Sequence, residues 1–375
     1  MSIDADEYIR IDRNKRLGDE AAVGHNRWHP DIKPVVEIEP GQVVAIETRD
    51  AFDGQFRSST SAAEVGRCNL NLIHPLTGPV YVKGTEPGDI LEVSILEVVP
   101  ESFGYTVQVP GFGFLRDIFT EPHIIRWNIA NGFATSEDLP GVRVPGAPFM
   151  GVIGTAPSHE LLETINRREA GLSERGGAVL LPDITDAVPQ TTSIASKAIR
   201  TIAPHETGGN VDIKQLTAGT KLRIPVYTPG ALFSVGDAHF AQGDNESCGT
   251  AIEMGATFYG SFKLLKGEAQ KRGIRDLQFY RDDYFMPPAM AVPQRFFATT
   301  GQSVTRDGVA HSEDATLAAR NALLNMIDHL VSERGFTKQQ AYAICSIAVD
   351  LKISEMVDVP NFVVSAFLPL DIFTT

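Results

Sequence analysis

Short apolar runs broken by Pro-Gly pairs dominate the first two thirds of the chain. Val35-Val36-Glu37-Ile38 leads into Glu39-Pro40-Gly41-Gln42 and then into Val43-Val44-Ala45-Ile46-Glu47-Thr48. Pro presets the first φ of a type II turn and Gly accepts the positive second one, so the segment reads as strand, turn, strand. The scheme returns at 79–83, Glu86-Pro87-Gly88-Asp89 and 90–99, and again at 221–227, Thr228-Pro229-Gly230-Ala231 and 232–235. Each is expected to form a hairpin, and three hairpins predict a mainly β body, sandwich-like or barrel-like. No long fixed period links them.

The pattern changes further on. Residues 155–209 hold one short helix, over 160–169, and otherwise read as Gly-rich polar loop. Ser312 reads as an N-cap, and Leu317, Leu324, Ile327 and Val331 recur at helical spacing until Gly335. Thr337 with Gln340 makes a capping box that opens a second helix running to about Asp350, and 362–368 reads as a buried strand. The expected class is α+β: a β-rich body over 1–255 with an α/β C-terminal portion, 256–375, packed on it.

Composition narrows the function. A chain of 375 residues can bury a large core without a disulfide or metal staple. The formal net charge is −14 and no Lys/Arg block occurs, so neither nucleic acid nor a membrane surface is an expected partner, and a small neutral substrate fits the field. Cys68, Cys248 and Cys345 form no CxxC pair, which argues against a disulfide framework or a zinc-thiolate site. The first residues show no basic-then-apolar leader, and no apolar run approaches the ~20 residues of a membrane span. A cytoplasmic protein is expected.

Candidate chemistry concentrates in Gly236-Asp237-Ala238-His239-Phe240-Ala241-Gln242-Gly243-Asp244-Asn245-Glu246. Asp237 and His239 are two apart, so in a strand both face one side, and a carboxylate beside an imidazole suits a divalent ion. The plain alternative is a strand end rich in Asp, Asn and Gly. Asp50, in Arg49-Asp50-Ala51-Phe52-Asp53-Gly54, also follows the second strand of a Pro-Gly unit and would emerge at the same rim if the units share a sheet; otherwise it is a solvated strand-end Asp. Gly208-Gly209-Asn210-Val211-Asp212 alternates polar side chains after paired glycines, which allow a tight turn or close approach of a ligand. His74 precedes a strand and is either structural or part of a pocket. Cys248 is either a nucleophile or a small buried apolar residue.

Taken together these segments resemble the acetamidase/formamidase family. The resemblance is carried by Gly236 through Asp244 with Glu246 and Gly249-Thr250-Ala251, by Thr77-Gly78-Pro79-Val80-Tyr81-Val82-Lys83-Gly84 with Glu86-Pro87-Gly88-Asp89, by Phe149-Met150-Gly151-Val152-Ile153-Gly154, and by Gly208 through Asp212. These blocks run in the family's order from about residue 20 to the C-terminus. Asn26-Arg27-Trp28-His29-Pro30-Asp31 resembles the formamidase side. Two positions depart: Asn245 stands where a Gly is expected, and Glu206-Thr207 precede Gly208 where a His is common.

The resemblance implies a homo-oligomeric hydrolase that cleaves a small linear amide to carboxylate and ammonia. Side-chain chemistry within the matching motifs then assigns the roles. Asp50, Asp237 and His239 would hold a divalent ion, zinc being the one expected, that activates the attacking water. Glu246 would be a further ligand or the general base, with Asp212 also in the catalytic set. Asn210, Gln242 and His74 would contact substrate, Asn210 and Gln242 by hydrogen-bonding the carboxamide together with Asp212. Two rivals stay open: a cysteine amidase using Cys248, and a non-catalytic β-rich module holding calcium.

Overall fold

The computed structural model describes residues 3–283 and 295–374. Its centre is a sixteen-stranded sheet whose longest member, Ile90–Gln108, runs antiparallel to Glu253–Leu265 over most of its length. On its other edges Glu253–Leu265 pairs with Val43–Thr48 and with Phe233–His239. Phe233–His239 pairs in turn with Phe149–Gly154, and that strand with Gly208–Asn210. The segments carrying the chemistry in the sequence are therefore lateral neighbours in one sheet.

Two of these strands are covered on both faces. Every residue of Phe149–Gly154 and of Phe233–His239 is buried. A strand buried on both sides is normally a continuous apolar run, and burying a charge there is costly unless it is paired or coordinated. Asp237 and His239 break that run. The surrounding core is aromatic: Phe233 packs edge-on against Phe262, and both are fully buried.

The C-terminal portion is a three-stranded antiparallel sheet with Val363–Pro369 central between Phe296–Gln302 and Asp350–Glu355. Helices Ala315–Arg334 and Lys338–Ala348 pack against it. The capping box at Thr337 and Gln340 forms as expected, and Gly335 ends the first helix at φ 70°. Among the described residues no helix is long and apolar enough to cross a membrane.

The class is as expected, α+β with a mainly β body, but the hairpins are not. The glycines of the three Pro-Gly turns do take positive φ (Gly41 94°, Gly88 92°, Gly230 74°). Yet Val36–Ile38 pairs with Leu76–Val82, and Val43–Thr48 pairs elsewhere. Likewise Leu76–Val82 does not pair with Ile90–Gln108, nor Lys221–Pro225 with Phe233–His239. The twist of a type II turn splays the flanking strands instead of matching their right-handed twist, so each turn sends its second strand to a different partner. Smaller corrections concern helix ends. Asp314, not Ser312, caps the first C-terminal helix, and the middle helix extends over His159–Glu174. Position 255 falls inside Glu253–Leu265, all of whose pairing is with body strands.

Candidate active site

Five side chains from four segments converge in the sheet: Asp212, Asp237, His239, Glu246 and Glu253. The Nε2 atom of His239 lies 3.3 Å from Asp237 Oδ1, 3.3 Å from Glu253 Oε2 and 3.9 Å from Glu246 Oε1. Candidate ligand atoms of Asp237, His239 and Glu253 fall within 4.8 Å of one another, as do those of Asp212, His239 and Glu246.

The backbone is bent to achieve this. Asp212, Asp237 and Glu246 take φ of 47°, 55° and 47°, the left-handed region that non-glycine residues seldom occupy. Strain of this kind gathers where function needs it. The ladder between Phe149–Gly154 and Phe233–His239 skips the Gly151–Asp237 position. A Cβ on Gly151 would lie 2.7 Å from each of Asp212 Oδ1, Asp237 Oδ2 and His239 Cε1. The φ of Gly151 is not left-handed, so the requirement for glycine there is spatial. Gly151→Ala is therefore expected to fold and to lose about 10²-fold in kcat, the scale of an ångström-sized misplacement. Unchanged kcat in steady-state assay would show that the convergence at Gly151 is immaterial.

The imidazole is oriented from behind. Gln242 Nε2 donates to the Asp212 carbonyl at 2.8 Å, which turns Gln242 Oε1 toward His239 Nδ1 at 2.9 Å. An amide oxygen only accepts, so Nδ1 carries the proton and Nε2 faces the carboxylates. Orientation of a ligating histidine through its second nitrogen is the usual arrangement at metal sites.

Charge is crowded here. Burial, which alone would lower the pKa of His239, is outweighed by Glu253 and Asp237, and the imidazole is held well above its ordinary value. Burial pushes Glu253 up to about 8 and Asp212 up to about 6, with His239 pulling both back. Burial and then the Asp212 charge raise Glu246 well above the carboxylate range. Asp237 alone goes down, because His74 and His239 overcome its burial. Four carboxyl groups around one imidazole call for a further cation. Asp212 Oδ1, His239 Nε2 and Glu253 Oε2 are buried without a hydrogen-bond partner, so the donors that a divalent ion needs are in place. These groups could hold a metal ion.

Placement differs for the other candidates. Asn210 and His74 line the same cavity, about 840 Å³ in volume, as Asp212, Asp237, Glu246 and Glu253. Asn210 Nδ2 donates to Ile202 O at 3.0 Å and leaves its buried Oδ1 unpartnered. His74 Nδ1 is held by Thr201 O at 3.0 Å, with Nε2 3.8 Å from Asp237. Gln242 has both ends of its amide engaged, by the Asp212 carbonyl and by His239. Asp50 is not brought to the centre. It accepts from Tyr105 Oη at 2.5 Å and from the N–H groups of Phe52 and Gly54 at 3.0 and 2.9 Å. An Asp at a strand end readily closes its own turn this way, and neither ligand group includes it. Glu253 went unassigned in the sequence, although a lone carboxylate within Ala251-Ile252-Glu253-Met254 was the available signal.

Comparison with known proteins settles the family. The acetamidase/formamidase profile matches residues 10–375. The chain belongs to this family. It is 37% identical over 367 residues to an acetamidase of Mycolicibacterium smegmatis, covering 89% of this chain and 87% of that one. Identity to a formamidase of Methylophilus methylotrophus is 34% over 386 residues, covering 97% and 93%. A solved γ-lactamase from Delftia acidovorans superposes with a TM-score of 0.93 at 36% identity, covering 98% of this chain and 94% of that one. The protein is an amidohydrolase, and the calcium-module reading falls.

Within the family frame the two departures have local reasons. Asn245 Nδ2 donates to the carbonyls of Cys345 and Val349 at the end of helix Lys338–Ala348, and its Oδ1 accepts from Ser247 N at 2.7 Å. It ties the segment bearing Glu246 to the C-terminal portion. Glu206 makes a two-pronged ion pair with Arg168 at 2.7 and 3.1 Å. Cys248 packs as an apolar residue: it is 1% exposed and burial raises its thiol pKa. A nucleophilic cysteine needs the opposite, an accessible thiolate. Cys248→Ala should keep turnover within about an order of magnitude and cost ~1–2 kcal/mol in a denaturation series. An inactive but folded variant would restore the cysteine route.

Proposed function

We propose that this protein hydrolyses the C–N bond of a neutral linear amide to carboxylate and ammonia at a buried carboxylate–imidazole centre holding a divalent ion, with zinc the best match to the donors. The observation that carries the reading is the set of buried, unpartnered atoms, Asp212 Oδ1, His239 Nε2 and Glu253 Oε2, beside a cavity that Asp212 and Glu253 line. Asp237, His239 and Glu253 would hold the ion, a mixed oxygen and nitrogen set. When bound, such an ion supplies a Lewis acid that polarises a carbonyl oxygen and makes water acidic enough to lose a proton near neutral pH.

The remaining steps belong to the chain. Glu246, raised and partly open to the cavity, takes the proton of the attacking water on a carboxylate oxygen and returns it to the departing nitrogen. Asp212 stands beside it as the second proton-holding carboxyl. Asn210 Oδ1 accepts from the carboxamide NH2, and His74 keeps Asp237 ionised. Ammonia release from formamide, acetamide and propionamide by metal-replete protein is the test. Turnover is expected, and no ammonia from any linear amide would overturn the reading.

A further inference from the structure

The cavity is far larger than the amides that a small-amide hydrolase must hold. At ~30 Å³ per water-sized group, a four-atom amide displaces on the order of 100 Å³. The cavity measures about 840 Å³, within the ~300–1,000 Å³ of sites that enclose drug-sized ligands.

Its wall joins the acidic centre to a mixed surface in which Arg116, Arg168, Glu169, Arg200 and His205 stand among apolar side chains. The apolar part of this wall includes Phe112, Leu172, Val179, Leu180 and Ile202. Phe112, Leu172 and Leu180 are 37%, 40% and 39% exposed, large apolar side chains left partly wet at a cavity. Phe112 adjoins the reacting end: a Cβ on Gly249 would lie 2.5 Å from its ring, so the ring rests on the backbone three residues after Glu246. A Cβ on Gly177 would run into the Leu172 side chain, so the turn leading to Val179 and Leu180 sits on Leu172.

Of the cations on this wall, Arg168 is paired with a carboxylate, and Arg200 and Arg116 bond to neutral oxygens. Arg168 is clasped by Glu206, and Arg200 by Asn71 Oδ1 at 3.1 Å and Leu70 O at 2.7 Å. Arg116 donates to Gly113 O at 3.2 Å. Arg200 Nε is left without a hydrogen-bond partner, and an uncharged apolar substituent would cover the partly wet Phe112, Leu172 and Leu180.

We infer that the substrates include amides of bulky apolar acids, with the carboxamide at the acidic centre and a ring-sized acyl group against Phe112, Leu172 and Leu180. The inference rests on the amide-hydrolase reading and extends it to the acyl group. It is tested by kcat/KM for ammonia release from acetamide, butyramide, benzamide and phenylacetamide with metal-replete protein. Burying a whole phenyl-sized side chain corresponds to about 10²-fold in rate, so phenylacetamide should exceed acetamide by about that factor. Leu172→Ala, at a partly exposed position, should lower the phenylacetamide-to-acetamide ratio about fivefold, and Leu172→Met should restore it. Highest kcat/KM on acetamide with decline along the series, or an unchanged ratio in Leu172→Ala, overturns this inference and leaves the amide-hydrolase reading standing. No ammonia from any of the four overturns both.

Discussion

A Glu246→Gln protein is expected to fold normally and to turn over amides ~10²–10⁴ times more slowly, the range associated with loss of a general base. The replacement is nearly isosteric, so packing is preserved. What it removes is the ability to hold a proton. Burial and the neighbouring Asp212 already make the Glu246 carboxyl reluctant to ionise, which is the condition for cycling a proton between water and a leaving nitrogen. Elemental analysis of the variant separates two roles. Retained metal with lost turnover identifies the base, and lost metal identifies a ligand. A fall in kcat of less than about tenfold removes Glu246 from the chemistry.

Asp237→Asn should have the second large effect, on metal content as well as rate. Asp237 is the one carboxyl in the cluster whose pKa is lowered, through His74 and His239, so it supplies a fixed negative charge beside His239 Nε2. Asparagine keeps the shape and removes that charge. Loss of an outer hydrogen-bond partner typically costs ~10–100-fold in metal affinity, and loss of a charged ligand should cost more. The purified variant is expected to carry little metal and to have kcat/KM at least ~10³-fold below the parent. Parent-like metal content would remove Asp237 from the ligand set.

Much of the site was legible in the chain because its residues are close in sequence. Asp237, His239 and Glu246 fall within ten positions, and all three reach the centre. Asn210 and Asp212 were found through their paired glycines, which let the strand lie beside Phe149–Gly154. Glu253 was missed because its partner is supplied by strand pairing: Glu253 is opposite His239, a contact that exists only once the sheet has formed. Asp50 misled for the converse reason. Its strand is a neighbour of Glu253–Leu265, so the shared rim is real, but side-chain direction is decided by the local turn and by Tyr105. Gly151 carries no chemistry of its own, and nothing in its sequence neighbourhood marks it as the space into which three functional groups project. Turn chemistry located the strands that flank the three Pro-Gly turns and left their partners undetermined, since a Pro-Gly turn fixes a change of direction and not the next strand in the sheet.

The central claim is that amide cleavage depends on a divalent ion held between Asp237, His239 and Glu253. The most direct measurement follows metal content and ammonia release together in one preparation as a chelator removes the ion and a divalent metal is returned. The account predicts that release falls in proportion to the bound metal, reaches background in the metal-free protein, and recovers on reconstitution of the parent but not of Asp237→Asn. Full ammonia release from protein shown by elemental analysis to be metal-free would contradict it.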